Sequence, residues 1–87
     1  MLSESDRVEA CRAALEAACR EAGAFITGDG RVGEEVAAQL LGLAVGTMAN
    51  KRSEGVSPPY YRIGCNGHRV TYRLADLAAW VEATRVS

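Results

Sequence analysis

The chain has 87 residues, 48% of them hydrophobic and 24% charged, which fits one globular domain with a single modest core. That length leaves no room for a separate catalytic domain, and a net charge of −1 argues against a general nucleic-acid coat of the histone-like kind. No stretch has the apolar core of a signal peptide or the length of a membrane span, so a cytoplasmic protein is expected.

The first predicted element is a helix over residues 3–22. Ser3 can cap it with Asp6 in the capping-box position, and Gly23 ends it. Its apolar stripe is Val8, Cys11, Leu15, Ala18, Cys19 and Ala22, narrow and rich in small residues. Such a stripe packs on its own domain or on a second copy of itself, and the sequence favours neither. Residues 1–23 are therefore set apart as an N-terminal helix for packing or dimerisation, ahead of a domain over 24–87.

Ala24-Phe25-Ile26-Thr27 reads as a brief strand or a turn anchored in the core, and Gly28-Asp29-Gly30 as a loop. The Gly-x-Gly is no phosphate loop, since no strand–helix unit surrounds it and a Walker lysine is missing. Residues 34–41 form the next predicted helix, with Gly33 as a tolerable N-cap and Glu34 and Glu35 placed well for the helix dipole. Gly42 follows the last apolar residue, where a helix end accepts positive φ.

A second helix over 45–53 ends at Gly55. The three residues between the two helices leave no slack, so the pair must cross steeply, as in a helix-turn-helix. In that geometry the second helix stands clear of the body and can enter a DNA major groove. Pro58-Pro59 then forces an extended segment.

Asn66-Gly67, between Tyr60-Tyr61-Arg62-Ile63 and Val70-Thr71-Tyr72, is a strong hairpin signal. With Asn66-Gly67 as a two-residue turn, Ile63 faces Val70, Arg62 faces Thr71, Tyr61 faces Tyr72 and Tyr60 faces Arg73. Tyr61, Ile63, Val70 and Tyr72 then share an inner apolar face, while Arg62, Arg69, Thr71 and Arg73 gather outside with Tyr60 beside them, resting on Arg73. The last helix covers 74–83, with Leu74, Leu77, Ala78 and Val81 as its core stripe, Trp80 beside it and Asp76 in its first turn. The fold class expected is mainly α with a small β-hairpin: a winged helix-turn-helix with an additional N-terminal helix.

Charge is distributed unevenly. Residues 1–43 hold four Arg against eight acids, residues 44–73 hold five Lys or Arg against one Glu, and residues 74–87 add one net negative charge. The basic excess lies on the second helix and the hairpin, as an electrostatic footprint for phosphate would. Cys11, Cys19 and Cys65 lack any C-x-x-C spacing, and with one His they make no zinc set, so they are expected as buried apolar residues in a reducing compartment. No paired carboxylates, nucleophile with base or cofactor loop can be assembled, so neither an enzyme nor a cofactor or small-molecule substrate is expected.

Residues 32–83 resemble the small winged helix-turn-helix proteins of the MerR-like excisionase and AlpA group. The matching pieces are Leu41-Gly42, Thr47-Met48, the run from Gly55 to Pro59, the run from Val70 to Arg73, and Asp76-Leu77-Ala78-Ala79-Trp80. The resemblance implies a DNA-binding winged helix-turn-helix, and members of the group serve as excisionases, transcription regulators and phage DNA-packaging subunits. The chain departs from the pattern at Ala49, often Arg in the group, at Lys51, often aromatic, and at Ala44, often a Ser cap. The exposed face of the reading helix is then Val45, Gly46, Ala49, Asn50 and Ser53.

On this reading Asn50 reads a base edge, Thr47 touches phosphate or base, and Lys51 and Arg52 supply phosphate charge. Arg62, Arg69, Thr71 and Arg73, with His68 at the hairpin tip, grip the backbone. The expected partner is double-stranded DNA, bound with a homodimer or cooperative oligomer because the interface is small. Two alternatives stay open: a protein-interaction module that uses Val45, Gly46 and Ala49, and a phage DNA-packaging adaptor that oligomerises through the N-terminal helix.

Overall fold

A computed structural model describes residues 2–86. Its elements in order are α1 (Glu4–Ala22), β1 (Arg31–Gly33), α2 (Glu34–Leu41), α3 (Val45–Glu54), β2 (Tyr61–Ile63), β3 (Arg69–Arg73) and α4 (Leu74–Ala83). Four helices and a small three-stranded antiparallel sheet, ordered β1-β3-β2, make one small body.

Local chemistry explains the helix ends. Ser3 Oγ accepts from the Asp6 amide and the Asp6 carboxylate accepts from the Ser3 amide, a complete capping box. α2 ends at Gly42, whose φ of 73° is open to glycine at no steric cost. The Gly42 and Leu43 amides return to the carbonyls of Gln39 and Ala38, which closes α2 and aims the chain into α3. α3 begins at Ala44 with no side-chain cap, so its first amides lack the stabilisation that a Ser or Asp there would supply.

The core is drawn from every helix and from two strands. Cys19 of α1, Val32 of β1, Ala37 and Ala38 of α2, Met48 of α3, Tyr72 of β3 and Leu74 and Leu77 of α4 are all nearly or fully buried. Ala37 and Ala38 let α2 approach its neighbours closely, while Met48 plugs α3 into the body.

α1 packs on its own domain. Arg7 near its start pairs with Glu82 near the end of α4 at 3.3 Å, and Cys19 near its end lies in the shared core with Leu15 beside it, so the two helices run antiparallel. Ala18 and Ala22, expected on its apolar stripe, are exposed.

Three expectations are corrected. First, the expected two-stranded hairpin is joined by a third strand over residues 31–33: Val32 pairs with Tyr72 on β3, the Leu74 amide donates to the Gly30 carbonyl at 2.9 Å, and Gly33 also caps α2 as expected. Second, Ala24-Phe25-Ile26-Thr27 is neither strand nor fully anchored; Ala24 and Ile26 touch the core, but Phe25 is 79% exposed.

Third, the hairpin register differs by one residue. Tyr61 pairs with Thr71, Arg62 with Val70 and Ile63 with Arg69. The cause lies in the connection, which spans residues 64–68 rather than two residues. The Gly67 amide donates to the Gly64 carbonyl, so Cys65 and Asn66 are the central turn residues, and Gly64 and Gly67 take φ of 94° and 63°. A one-residue slip moves a strand's side chains to the opposite face. Tyr61 and Ile63 therefore join Arg69, Thr71 and Arg73 on the outer face, and Arg62 joins Val70 and Tyr72 on the helix side.

Among the described residues, no helix is long and apolar enough to cross a membrane.

Candidate nucleic-acid interface

α3 and the β2–β3 hairpin carry the candidate residues, and the tie between them is a partly buried polar cluster. Glu34, the first residue of α2, accepts from Arg52 of α3 through both Nε (2.5 Å) and Nη2 (2.9 Å). The same carboxylate accepts from the Tyr72 hydroxyl at 2.7 Å. Three elements, α2, α3 and β3, thus meet at one side chain.

Electrostatics agree with the geometry. The Arg52 hydrogen bond, aided by Tyr72, holds the Glu34 carboxyl below its ordinary value against the opposing effect of burial. Burial, with the Glu34 charge beside it, pushes the Tyr72 phenol well above its ordinary value. Tyr60 extends the cluster: its ring lies 6.1 Å from Tyr72, and the Arg52 and Arg62 guanidiniums each sit 5.6 Å from its centroid. Tyr60 therefore rests between Arg52 and Arg62, not on Arg73 as expected.

Arg52 is spent inside the protein. Its side chain is 17% exposed and bidentate with Glu34, so the expected phosphate contact is replaced by a structural role. Lys51 is half-buried, with its ammonium 5.9 Å from the Trp80 ring centroid. Thr47 and Asn50 are exposed on α3, as are Val45 (47%), Gly46 and Ser53. Ala49 is half-buried.

The hairpin residues divide between two faces. Arg62 lies on the helix side, exposed, over Tyr60, and reaches the Gly67 carbonyl at 3.4 Å. His68 and Cys65 are exposed in the connecting loop, which corrects the expectation that Cys65 is buried; Cys11 is half-buried and Cys19 is buried. Arg69, Thr71 and Arg73 line the outer face, and Thr71 is only 4% exposed. Its hydroxyl accepts from Arg31 Nη1 at 3.0 Å, so Thr71 is a buried support and not a surface contact.

Arg31, which the sequence reading left unassigned, and Tyr61, expected on the inner face, complete that outer face. Arg31 Nε donates to both Asp29 carboxylate oxygens at 2.9 Å, and Arg73 approaches the same carboxylate at 3.7 Å. The Thr27 hydroxyl first, then Arg31, hold the Asp29 carboxyl below its ordinary value. Arg31 and Arg73 each lie 5.5 Å from the Tyr61 ring centroid. The link from Glu34 to partners 18 and 38 residues away carries no local signal, which is why only its helix-dipole role was visible in the sequence.

Among the described residues, no group of three or more His, Cys, Asp or Glu side chains is placed to hold a metal ion. No family model, no curated protein and no solved structure matches the chain.

Proposed function

We propose that the chain is a double-stranded-DNA-binding protein with a winged helix-turn-helix, of the excisionase-like or transcription-regulating kind. α3 would read the major groove, and the β2–β3 hairpin would serve as the wing. The observation that carries the reading is the Glu34 tie between α3, which exposes Thr47 and Asn50 and bears Lys51, and the hairpin that bears Arg62. The tie holds two contact elements at a fixed spacing, as groove recognition requires.

Within the interface, Asn50 would accept from and donate to a base edge, with Thr47 beside it. Lys51, Arg62 and the loop around His68 would meet the flanking phosphates. Few groups on α3 can form hydrogen bonds, so one copy binds weakly and paired sites or cooperative assembly supply the rest.

The test is a pair of substitutions at exposed positions. Arg62→Ala should weaken binding similarly for all duplex sequences and flatten the salt dependence by about one unit. Asn50→Ala should cost about 1–3 kcal/mol on a preferred site and little on random duplex. Equal losses on both kinds of DNA would sink the role of Asn50, and an unchanged salt slope would sink that of Arg62.

One observation favours a second reading. Val45 is 47% exposed beside Gly46, an apolar spot suited to a protein partner. A protein-interaction module would bind no duplex at low salt and would lose its partner on Val45→Asp. The packaging-adaptor reading shares the DNA contact and adds oligomerisation, which sedimentation would report.

A further inference from the structure

The one-residue shift in register separates the basic side chains of the hairpin onto two opposite surfaces. Arg62 turns toward the helix side, over the Tyr60 ring that Arg52 also meets, while Arg69 and Arg73 turn away, on the face of Arg31. A duplex seated on α3 is met by the first set, which leaves the second without a role. We propose that the outer face of the sheet is a second phosphate-backbone surface, so that one copy of the chain holds two DNA duplexes. The proposal rests on the DNA-binding reading and adds to it a second site on the opposite side of the sheet.

Charge and shape both favour a polyanion there. Three guanidiniums, from Arg31, Arg69 and Arg73, share the face with Asp29, and Glu16 beside Arg73 is taken up by Arg12 and Arg20, which leaves a positive excess. Asp29 is taken up mainly by Arg31, at 2.9 Å through two oxygens, whereas Arg73 stands 3.7 Å away and its side chain is 46% exposed. Arg69 is exposed at the hairpin end.

Tyr61 and Thr71 preorganise the surface. The Tyr61 ring, 38% exposed, lies under the guanidiniums of both Arg31 and Arg73 and limits their rotation. Thr71 fixes the tip of Arg31. Gly33, opposite Thr71 on the edge strand, has no side chain and open space where a Cβ would lie, so that edge of the face is low. Arg69 and Arg73 are four residues apart on β3, about 13 Å between Cα atoms, or the rise of about four base pairs. A phosphate backbone laid along β3 meets both.

A bridging assay tests this. One 20-base-pair duplex is immobilised, the wild-type protein is added, and retention of a second, fluorescent duplex is measured; anisotropy gives affinity for a single duplex in parallel. The wild-type chain is expected to retain the second duplex. The double variant Arg69→Ala/Arg73→Ala should lose about tenfold in retention, with the salt slope of bridging flatter by about two units, while single-duplex affinity and thermal stability stay near wild type. Arg69→Lys/Arg73→Lys should restore most of the bridging.

Three results would overturn the proposal: duplex binding without bridging, bridging unaffected by the double variant, or single-duplex affinity falling in parallel with bridging. In each of these the α3 reading stands if Asn50→Ala/Arg62→Ala weakens single-duplex binding. The opposite pattern, in which Asn50→Ala/Arg62→Ala changes nothing and Arg69→Ala/Arg73→Ala abolishes binding, leaves one duplex on the outer face and overturns both the α3 reading and the two-duplex proposal. Absence of any duplex binding at low salt overturns both.

Discussion

Replacing Glu34 by Ala removes the acceptor for three hydrogen bonds at once, two from Arg52 and one from Tyr72. The pair is neither exposed nor fully buried, with side chains 17% and 16% exposed. An exposed pair is worth about 0–1 kcal/mol, and breaking a buried one costs about 3–5 kcal/mol. Glu34→Ala should therefore cost about 2–4 kcal/mol, nearer the upper figure because Arg52 and the Tyr72 hydroxyl both lose their partner. In a domain of this size that lowers Tm by about 10–25 °C.

The effect has a pH signature. The Glu34 carboxyl is held below its ordinary value, so its stabilisation is fully present above the unfolded value of about 4.3 and is lost as pH falls through the lower folded value. The gap between wild type and Glu34→Gln, which mimics the protonated acid, should be wide at pH 7 and narrow as pH falls below about 4.3. Far-UV circular dichroism melts of both variants and the wild type across that range provide the assay. A Glu34→Ala variant that melts within about 2 °C of wild type at pH 7 would refute the clamp, as would a Gln gap that does not change with pH.

Other expectations concern packing. Met48→Ala empties a fully buried site under α3 and should cost about 2–5 kcal/mol, measured by urea denaturation. A loss well under 1 kcal/mol would mean that α3 is not anchored there. Deleting residues 1–23 removes Cys19 and Leu15 from the core and the Arg7–Glu82 pair, so the remainder should melt far lower or lose cooperativity. If the truncated chain instead kept its Tm and halved its mass by sedimentation, α1 would be an assembly helix and not part of this core.

Helix positions were legible because capping signals are local: Ser3 with Asp6, and glycine after α1, α2 and α3, mark ends within a few residues of the apolar stripes they close. The strands were less so. β1 is three residues long, too short for alternation to show, and becomes a strand only because β3 lies beside it. The hairpin register failed for a different reason. Asn66-Gly67 marks a turn correctly, but Gly64 draws the turn one step earlier, and a single step reverses which side chains face out.

The candidate site suffered most from that slip. Arg62 and Tyr61 exchange faces, and Arg52 and Thr71 prove to be engaged internally by Glu34 and Arg31, partners remote in sequence. Asn50, Thr47, His68 and Arg69 remain exposed as their local spacing implies.

The most direct test of DNA binding is the affinity of the wild-type chain for a fluorescent duplex, by anisotropy, across a salt series and against random competitor. The account predicts saturable binding whose logarithm falls with log salt at a slope of about −2 or steeper, from Lys51, Arg62 and their neighbours, and which survives competitor on a preferred sequence. No binding at low salt would contradict it and leave the exposed Val45 edge as the surface to pursue.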